Sequence, residues 1–220
     1  MGEEREGPRE QAVSAVAAEP ARPDLVGKKA AAAGTGEGAA ASRVTATTAR
    51  PRCAWAQQDP LLARYHDEEW GRPIHDDDEL FGRLMLEVFQ AGLSWRTVLY
   101  KREALRRAFA GFDVRRVAAF TQADVARLLA DPAIIRNRAK IEATIANARA
   151  CLEIRARYGS FRAFLDSLPP DVQAVTAELR KWFRFVGPTM VDSFLQATGR
   201  IPPRHEPGCW LAGTGPAARS

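Results

Sequence analysis

From Asp59 onward, apolar residues recur every three to four positions, the period of an amphipathic helix rather than of a strand. Asp76, Asp77 and Asp78 offer an N-cap and first-turn acids for a helix over 79–91. Ser94 caps a second helix ending near 109. The run "TQAD" at 121–124 has the form of a capping box before "VARLLA". A long amphipathic helix follows, with Ile141, Ile145, Ala148 and Leu152 on one face and Lys140, Glu142, Arg149 and Glu153 off it. Shorter helices are predicted near 161–168 and 176–183. A last one spans 189–197, stopped by Gly199. No segment alternates polar and apolar residues between turn signals, and no fixed-period repeat exists. The pattern predicts an all-α fold.

Residues 1–50 break this pattern. They contain no Phe, Tyr or Trp and are rich in Ala, Gly, Glu, Arg and Pro. Such a segment buries too little apolar surface to offset the entropy of ordering it, so disorder is expected over 1–50. Its seven Lys or Arg balance seven Asp or Glu, so the net charge of +5 sits in 51–220. A folded domain is expected over 51–210 and a loose tail over 211–220. The basic balance is compatible with a polyanionic partner. No apolar run reaches the roughly 18 residues of a membrane span, and the N-terminus lacks the apolar stretch of a secretory signal. Three cysteines are too few and of the wrong parity for a disulfide framework, so a reducing compartment is expected.

The histidines and cysteines then narrow the chemistry. "RHEPGCW" at 204–210 holds His205 and Cys209, a spacing common in the closing half of a zinc site. "CAWAQQDPLLARYH" at 53–66 supplies Cys53 and His66. Together they make a Cys2His2 set suited to tetrahedral zinc. Spacing alone leaves scattered residues as an equal reading. Cys151, inside a helical stretch, is expected to be a buried small apolar residue. His75, in "PIHDDDE", is expected in an exposed loop.

Glu87 is the odd residue of "LMLEVFQAGLSW". It shares a helix face with Leu80, Leu84 and Ala91 and is expected to be partly buried. A buried carboxylate needs a partner or a ligand. Beside aromatic rings it can hold the edge of a flat cationic or donor-bearing ring. Downstream, "WFRFVGPTMVDSF" runs into Gly187, Pro188 and a helix, and the free N–H groups of such a turn suit a phosphate. Arg180 and Arg184 lie just before it. Arg136, Arg138 and Lys140 open the long helix and form a second basic cluster.

In combination, "CAWAQQDPLLARYHDEEWG", "LEVFQAGLSWRTVLYKRE", "IIRNRAKIEATIANARA", "FRFVGPT" and "HEPGC" resemble the bacterial 3-methyladenine DNA glycosylase I family, over about 52–210. The resemblance implies a helix-hairpin-helix glycosylase fold. It implies one structural zinc ion per chain at Cys53, His66, His205 and Cys209, clasping the two ends of the domain. It implies a monofunctional enzyme that flips out and hydrolytically releases 3-methyladenine, leaving an abasic site in base excision repair. Carried over residue by residue, Glu87 bonds the flipped base. Tyr65 and Trp95 sandwich that base, and Trp55 lines the pocket. Gly187 and Thr189 contact the DNA backbone. Apart from the resemblance, the basic residues Arg184, Arg136, Arg138 and Lys140 are expected to add DNA contacts, with ordinary solvated side chains as an equal reading. The stretch "TGRIPPRH" carries no carboxylate, in keeping with a family that lacks the post-hairpin Asp of many helix-hairpin-helix glycosylases. Double-stranded alkylated DNA is the implied partner. A monomer in the bacterial cytoplasm, on the nucleoid when acting, is the expected state.

This chain departs from the family pattern in three places. The segment before the hairpin is shorter, "RKW" replaces Lys-Arg-Gly, and Val88 stands where Gly follows the pocket acid. Two other functions remain compatible with the sequence: a non-catalytic, zinc-stapled DNA-binding relative, and an N-glycosidase for another alkylated base. A buried acid between aromatics favours an enzyme, because a DNA-binding module has no use for one.

Overall fold

A computed structural model describes residues 50–213. Among the described residues there are ten α-helices, one 3-10 turn and no strand, in agreement with the all-α expectation. In chain order they are α1 (Ala54–Gln57), α2 (Pro60–Glu68), α3 (Asp77–Gln90), α4 (Trp95–Ala108), the 3-10 turn (Ala110–Phe112), α5 (Val114–Ala118), α6 (Gln122–Ala130), α7 (Arg138–Tyr158), α8 (Phe161–Asp166), α9 (Val172–Trp182) and α10 (Pro188–Ala197). The expectations for 1–49 and for 214–220 lie outside the described residues. No described helix is long and apolar enough to cross a membrane.

α3 is the axis of the fold. Every residue from Leu80 to Phe89 is buried, because α4, α7, α8 and α10 all pack on it. That all-round burial includes Arg83 and Glu87, which is where the chemistry concentrates. Burying a side chain such as Phe81 or Leu84 contributes about 1.5–3 kcal/mol.

Local signals set the helix ends. Asp76 accepts from the Glu79 N–H at 2.9 Å, and Ser94 from the Thr97 N–H at 3.2 Å. The Thr121–Asp124 capping box is present. The acids after Asp76 do more than cap their own helix. Asp77 accepts from the N–H groups of Phe161 and Arg162, both at 2.9 Å. Asp78 accepts from Arg155 at 2.6 Å and from the Val114 N–H at 3.2 Å. The start of α3 thus ties down α5, α7 and α8.

Two boundaries differ from expectation. α9 begins at Val172, capped by Asp171, earlier than periodicity placed it. Leu211, assigned above to a loose tail, is 3 % exposed and packs with Cys53 and Cys209. Packing against these two residues takes its apolar side chain out of water.

Gly199 closes α10 with φ +66°. A Cβ there would lie 2.8 Å from the Gly71 carbonyl oxygen, so glycine is required twice over: by the left-handed backbone and by the contact. The Gly71 N–H in turn donates to the Ala197 carbonyl at 3.2 Å, joining the segment after α2 to the end of α10.

Candidate functional site

The four predicted clasp residues meet. One ligand atom from each of Cys53, His66, His205 and Cys209 lies within 4.8 Å of all the others. Cys209 Sγ is 3.4 Å from His66 Nε2 and 3.5 Å from His205 Nδ1, and Cys53 Sγ is 3.6 Å from His205 Nδ1. A tetrahedral zinc with ordinary bond lengths sets sulfur–nitrogen separations of about 3.6 Å. The donor set therefore fits a tetrahedral ion with no ligand position left over. Asp67 Oδ1 sits 2.8 Å from His66 Nδ1, which turns Nε2 towards the cluster, the usual carboxylate–histidine support. Asp67 is held by Arg52 at 2.8 Å and by Trp210 Nε1 at 3.2 Å. The Glu206 N–H donates to Cys53 Sγ at 3.3 Å.

Beside this cluster α2, α3, α4 and α10 enclose a cavity of about 410 Å³, within the usual range for a small-molecule site. Glu87, Tyr65, Trp55 and Trp95 all line it. Glu87 is 5 % exposed and is the one carboxylate in the lining. Burial pushes its carboxyl up to about 7, against the pull of the neighbouring Arg83 guanidinium. Tyr65 is also buried, and burial raises its phenol well above the usual range.

Tyr65 and Trp95 stand side by side at the pocket wall. The Tyr65 and Trp95 ring centroids are 5.2 Å apart with planes tilted by 52°. A base held face to face between two rings needs them roughly parallel and about 7 Å apart, two van der Waals contacts of about 3.5 Å. The two rings are in tilted contact, and the Trp95 indole N–H is buried without a partner among the described residues. Trp55 stands next to Tyr65 at 6.3 Å and spans both sites, 5.3 Å from the His66 ring.

An adjoining cavity shares Glu87, Gln90 and Ser193 and runs on to Leu93, Phe185, Gly187 and Thr189. This brings the turn before α10 to the mouth of the pocket. The left-handed residue of that turn is Phe185, with φ +60°, and not Gly187, whose φ is −135°. A Cβ on Gly187 would meet nothing, so the glycine leaves an open approach to the N–H groups of α10. Asn147 clamps the turn: it accepts from the Arg184 N–H at 2.7 Å and donates to the Arg184 carbonyl at 3.2 Å. Arg180 donates to the Val186 carbonyl at 3.0 Å, so its guanidinium braces the turn.

Of the predicted basic contacts, Arg184, Arg136 and Arg138 are exposed, and none of them lines these two cavities. Lys140 does not belong with them. It is 6 % exposed, and its ammonium donates to the carbonyls of Phe89 at 2.8 Å and Ala91 at 2.5 Å. Capping the carbonyl end of α3 satisfies a charge that packing has removed from water. Cys151 is fully buried and burial raises its thiol to about 12, as an inert core residue requires. His75 is exposed in a loop.

Three site residues escaped the sequence. Leu93 and Phe185 are exposed apolar side chains at the cavity mouth; exposure is not visible in a chain where most Leu and Phe are core. Arg83 lies one helical turn before Glu87, a spacing that pairs opposite charges and was the available signal.

A family model described as methyladenine glycosylase matches residues 55–181. The chain belongs to the methyladenine glycosylase family. It is 43 % identical over 178 residues to the DNA-3-methyladenine glycosylase 1 of Escherichia coli K12, covering 72 % of this chain and 95 % of that protein. A crystal structure of 3-methyladenine DNA glycosylase I superposes with a TM-score of 0.66 at 42 % identity, covering 73 % of this chain and 98 % of the other. A Staphylococcus aureus 3-methyladenine DNA glycosylase I, solved for its recognition of 3-methyladenine, matches at 37 % identity and TM-score 0.64, over 67 % of this chain and 89 % of its own. The methyladenine glycosylase match spans α1 to α9, and so includes Glu87 and both rings beside it.

Proposed function

We propose that this chain is a monofunctional DNA glycosylase that releases 3-methyladenine from alkylated double-stranded DNA and leaves an abasic site. The observation that carries the reading is Glu87: a buried carboxylate with no hydrogen bond among the described residues, walled by aromatics, in a family whose relatives carry that activity in their names.

Methylation at N3 makes adenine formally cationic, and the C1′–N9 bond breaks to release a neutral base, so no general acid is needed. The protein's task is to extract the nucleotide, desolvate it and admit water to the sugar. Glu87 accepts a hydrogen bond from the edge of the base and balances its charge. This also yields selectivity. An ionised carboxylate buried alone costs several kcal/mol; a cationic base removes that cost and a neutral purine does not. The bound base lies against the Tyr65 ring, with Trp95 displaced from its contact with Tyr65. Proteins that open a duplex frequently insert an apolar wedge, and that role is assigned here to the exposed Leu93 and Phe185 at the pocket mouth.

The α9–turn–α10 unit serves as the helix-hairpin-helix grip, with Gly187 and Thr189 at the phosphate, where a helix N-terminus attracts an anion. Arg184, Arg136 and Arg138 add sequence-independent backbone attraction. One zinc ion at Cys53, His66, His205 and Cys209 has a structural role. It fixes α2, which carries Tyr65, to the segment after α10, so a pocket wall and the phosphate grip keep their relation. Residues 51–211 form the glycosylase domain, acting as a monomer in the cytoplasm.

The test is release of 3-methyladenine from methylated duplex DNA by wild type and by Glu87→Gln. Wild type is expected to release the base, and Glu87→Gln to lose at least about a hundredfold in single-turnover rate, the scale of a lost pocket electrostatic contact. No release by wild type overturns the reading.

A further inference from the structure

The buried guanidinium behind the pocket has no part in the chemistry above. Arg83 is 8 % exposed. Its Nη1 donates to the Tyr65 hydroxyl at 3.0 Å, its Cζ lies 5.2 Å from the Tyr65 ring centroid, and its Nη2 is 3.5 Å from Glu69. Glu69 is not Arg83's alone, because Arg102 also binds it, with Nη2 at 3.1 Å. Arg102 in turn reaches Glu103 at 3.6 Å, so Arg83 sits at the inner end of a shared ion-pair cluster, with one fork nitrogen on Tyr65, one helical turn from Glu87.

We propose that Arg83 is a positioning residue of the base pocket: its guanidinium holds the Tyr65 ring in place and presents to Glu87 a fixed positive charge that readies the carboxylate for a cationic base. This rests on the glycosylase reading above.

The surroundings leave the task to Arg83. From α2, Tyr65 faces Glu87 with a neutral phenol. From α4, Arg96 reaches the cavity rim but is bound to Asp59 at 2.9 Å and its side chain is 60 % exposed. From α10, Ser193 and Gln196 are uncharged. From α7, Lys140 is taken up by the carbonyls at the end of α3. Arg83 is the one charge that pulls the Glu87 carboxyl down against its burial.

The geometry has two consequences. A pocket acid neutralised by its own burial would offer a cationic base only a neutral carboxyl, so the charge of Arg83 extends the working range towards lower pH. The fork also reaches past Glu87 to the Tyr65 hydroxyl, so the acid and the ring it works beside are set by one side chain. Lysine supplies the charge but not the fork.

The experiment follows the Glu87 side-chain carboxyl carbon by NMR in wild type, assigned with Glu87→Gln, and needs no substrate. Arg83→Met is expected to raise the Glu87 midpoint by about one pH unit, the low end for losing an adjacent opposite charge. Arg83→Lys is expected to keep it near wild type. Glu69→Gln, at a half-buried surface site, frees more of the Arg83 charge and is expected to lower the midpoint, so the test survives if Arg83→Met does not fold. For base release, Arg83→Met is expected to lose about tenfold more at pH 6 than at pH 9. A purely structural role would give the same loss at both pH values. An unmoved midpoint in both Arg83→Met and Glu69→Gln overturns the proposal. Absence of base release by wild type instead overturns the glycosylase reading, and the NMR result stands by itself.

Discussion

The Lys140 ammonium, at the start of α7, lies 2.8 Å from the carbonyl oxygen of Phe89 and 2.5 Å from that of Ala91, at the end of α3. A basic residue in a cluster fit for DNA is therefore a buried pin between two helices. It sits where the chain leaves Glu87 for Trp95. Lys140→Met removes two charge-assisted bonds, worth about 1.5–3 kcal/mol each before the relief of burying a charge is counted. The expected net loss is about 2 kcal/mol, read as a melting temperature lower by roughly 5 °C. DNA affinity at fixed salt is expected to fall much less than for Arg136→Ala, which removes an exposed charge.

The Glu87 carboxyl has a signed effect on stability. Its folded value, near 7, exceeds its ordinary 4.5. The folded state therefore holds the proton over that window while the unfolded state releases it. This contribution is full below pH 4.5 and is lost as pH rises through 7. Glu87→Gln has no such dependence. Its melting temperature is expected to exceed wild type by more at pH 8.5 than at pH 5, with a difference of at most about 3 kcal/mol. The variant gains stability where it loses activity.

The same ionisation shapes the rate. Base release by wild type, as kcat/KM against pH, is expected to rise through an acid limb centred near 7 and then level. A profile flat from pH 5 to 9 would remove the carboxylate role assigned to Glu87.

The cluster of Cys53, His66, His205 and Cys209 predicts about one zinc per chain in protein purified without chelator. Cys209→Ser leaves three ligands and one weak donor. It is expected to lower metal content and cost several kcal/mol of stability, since structural zinc binding is folding free energy. Differential scanning calorimetry of wild type with and without chelator is expected to show the same drop. Equal melting in both would dismiss the clasp.

Two glycines separate fold from function. Gly199→Ala forces a Cβ to 2.8 Å from the Gly71 carbonyl at φ +66° and is expected to cost at least about 2 kcal/mol. Gly187→Ala meets no protein atom, so its melting temperature is expected to match wild type. Its affinity for duplex DNA is expected to fall, because the methyl group stands where a phosphate would approach the N–H groups of α10.

The helical class, the caps at Asp76, Ser94 and Thr121 and the four metal-site residues were legible along the chain, because these are local matters or matters of counting. Capping needs a side chain within three residues of a free N–H, and helix faces repeat every 3.6 residues. The four metal-site residues could be counted because His and Cys are so scarce. Their meeting could not, since His66 and Cys209 are joined only through the packing of α2 against the end of the chain.

What only the tertiary structure decided is which charged groups are in water. Lys140 and Arg136 stand four residues apart in one basic run, yet one is buried and the other exposed. Arg83 and Glu87 are an ordinary charge pair in sequence, until the neighbours of α3 remove both from solvent. Solvation sets the energy of a charge, and it depends on what packs around a side chain rather than on what precedes it in the chain. The sequence determined that an acid stands among aromatics. The packing decided that this acid is buried, that Arg83 faces it, and that Tyr65 and Trp95 are in tilted contact beside it.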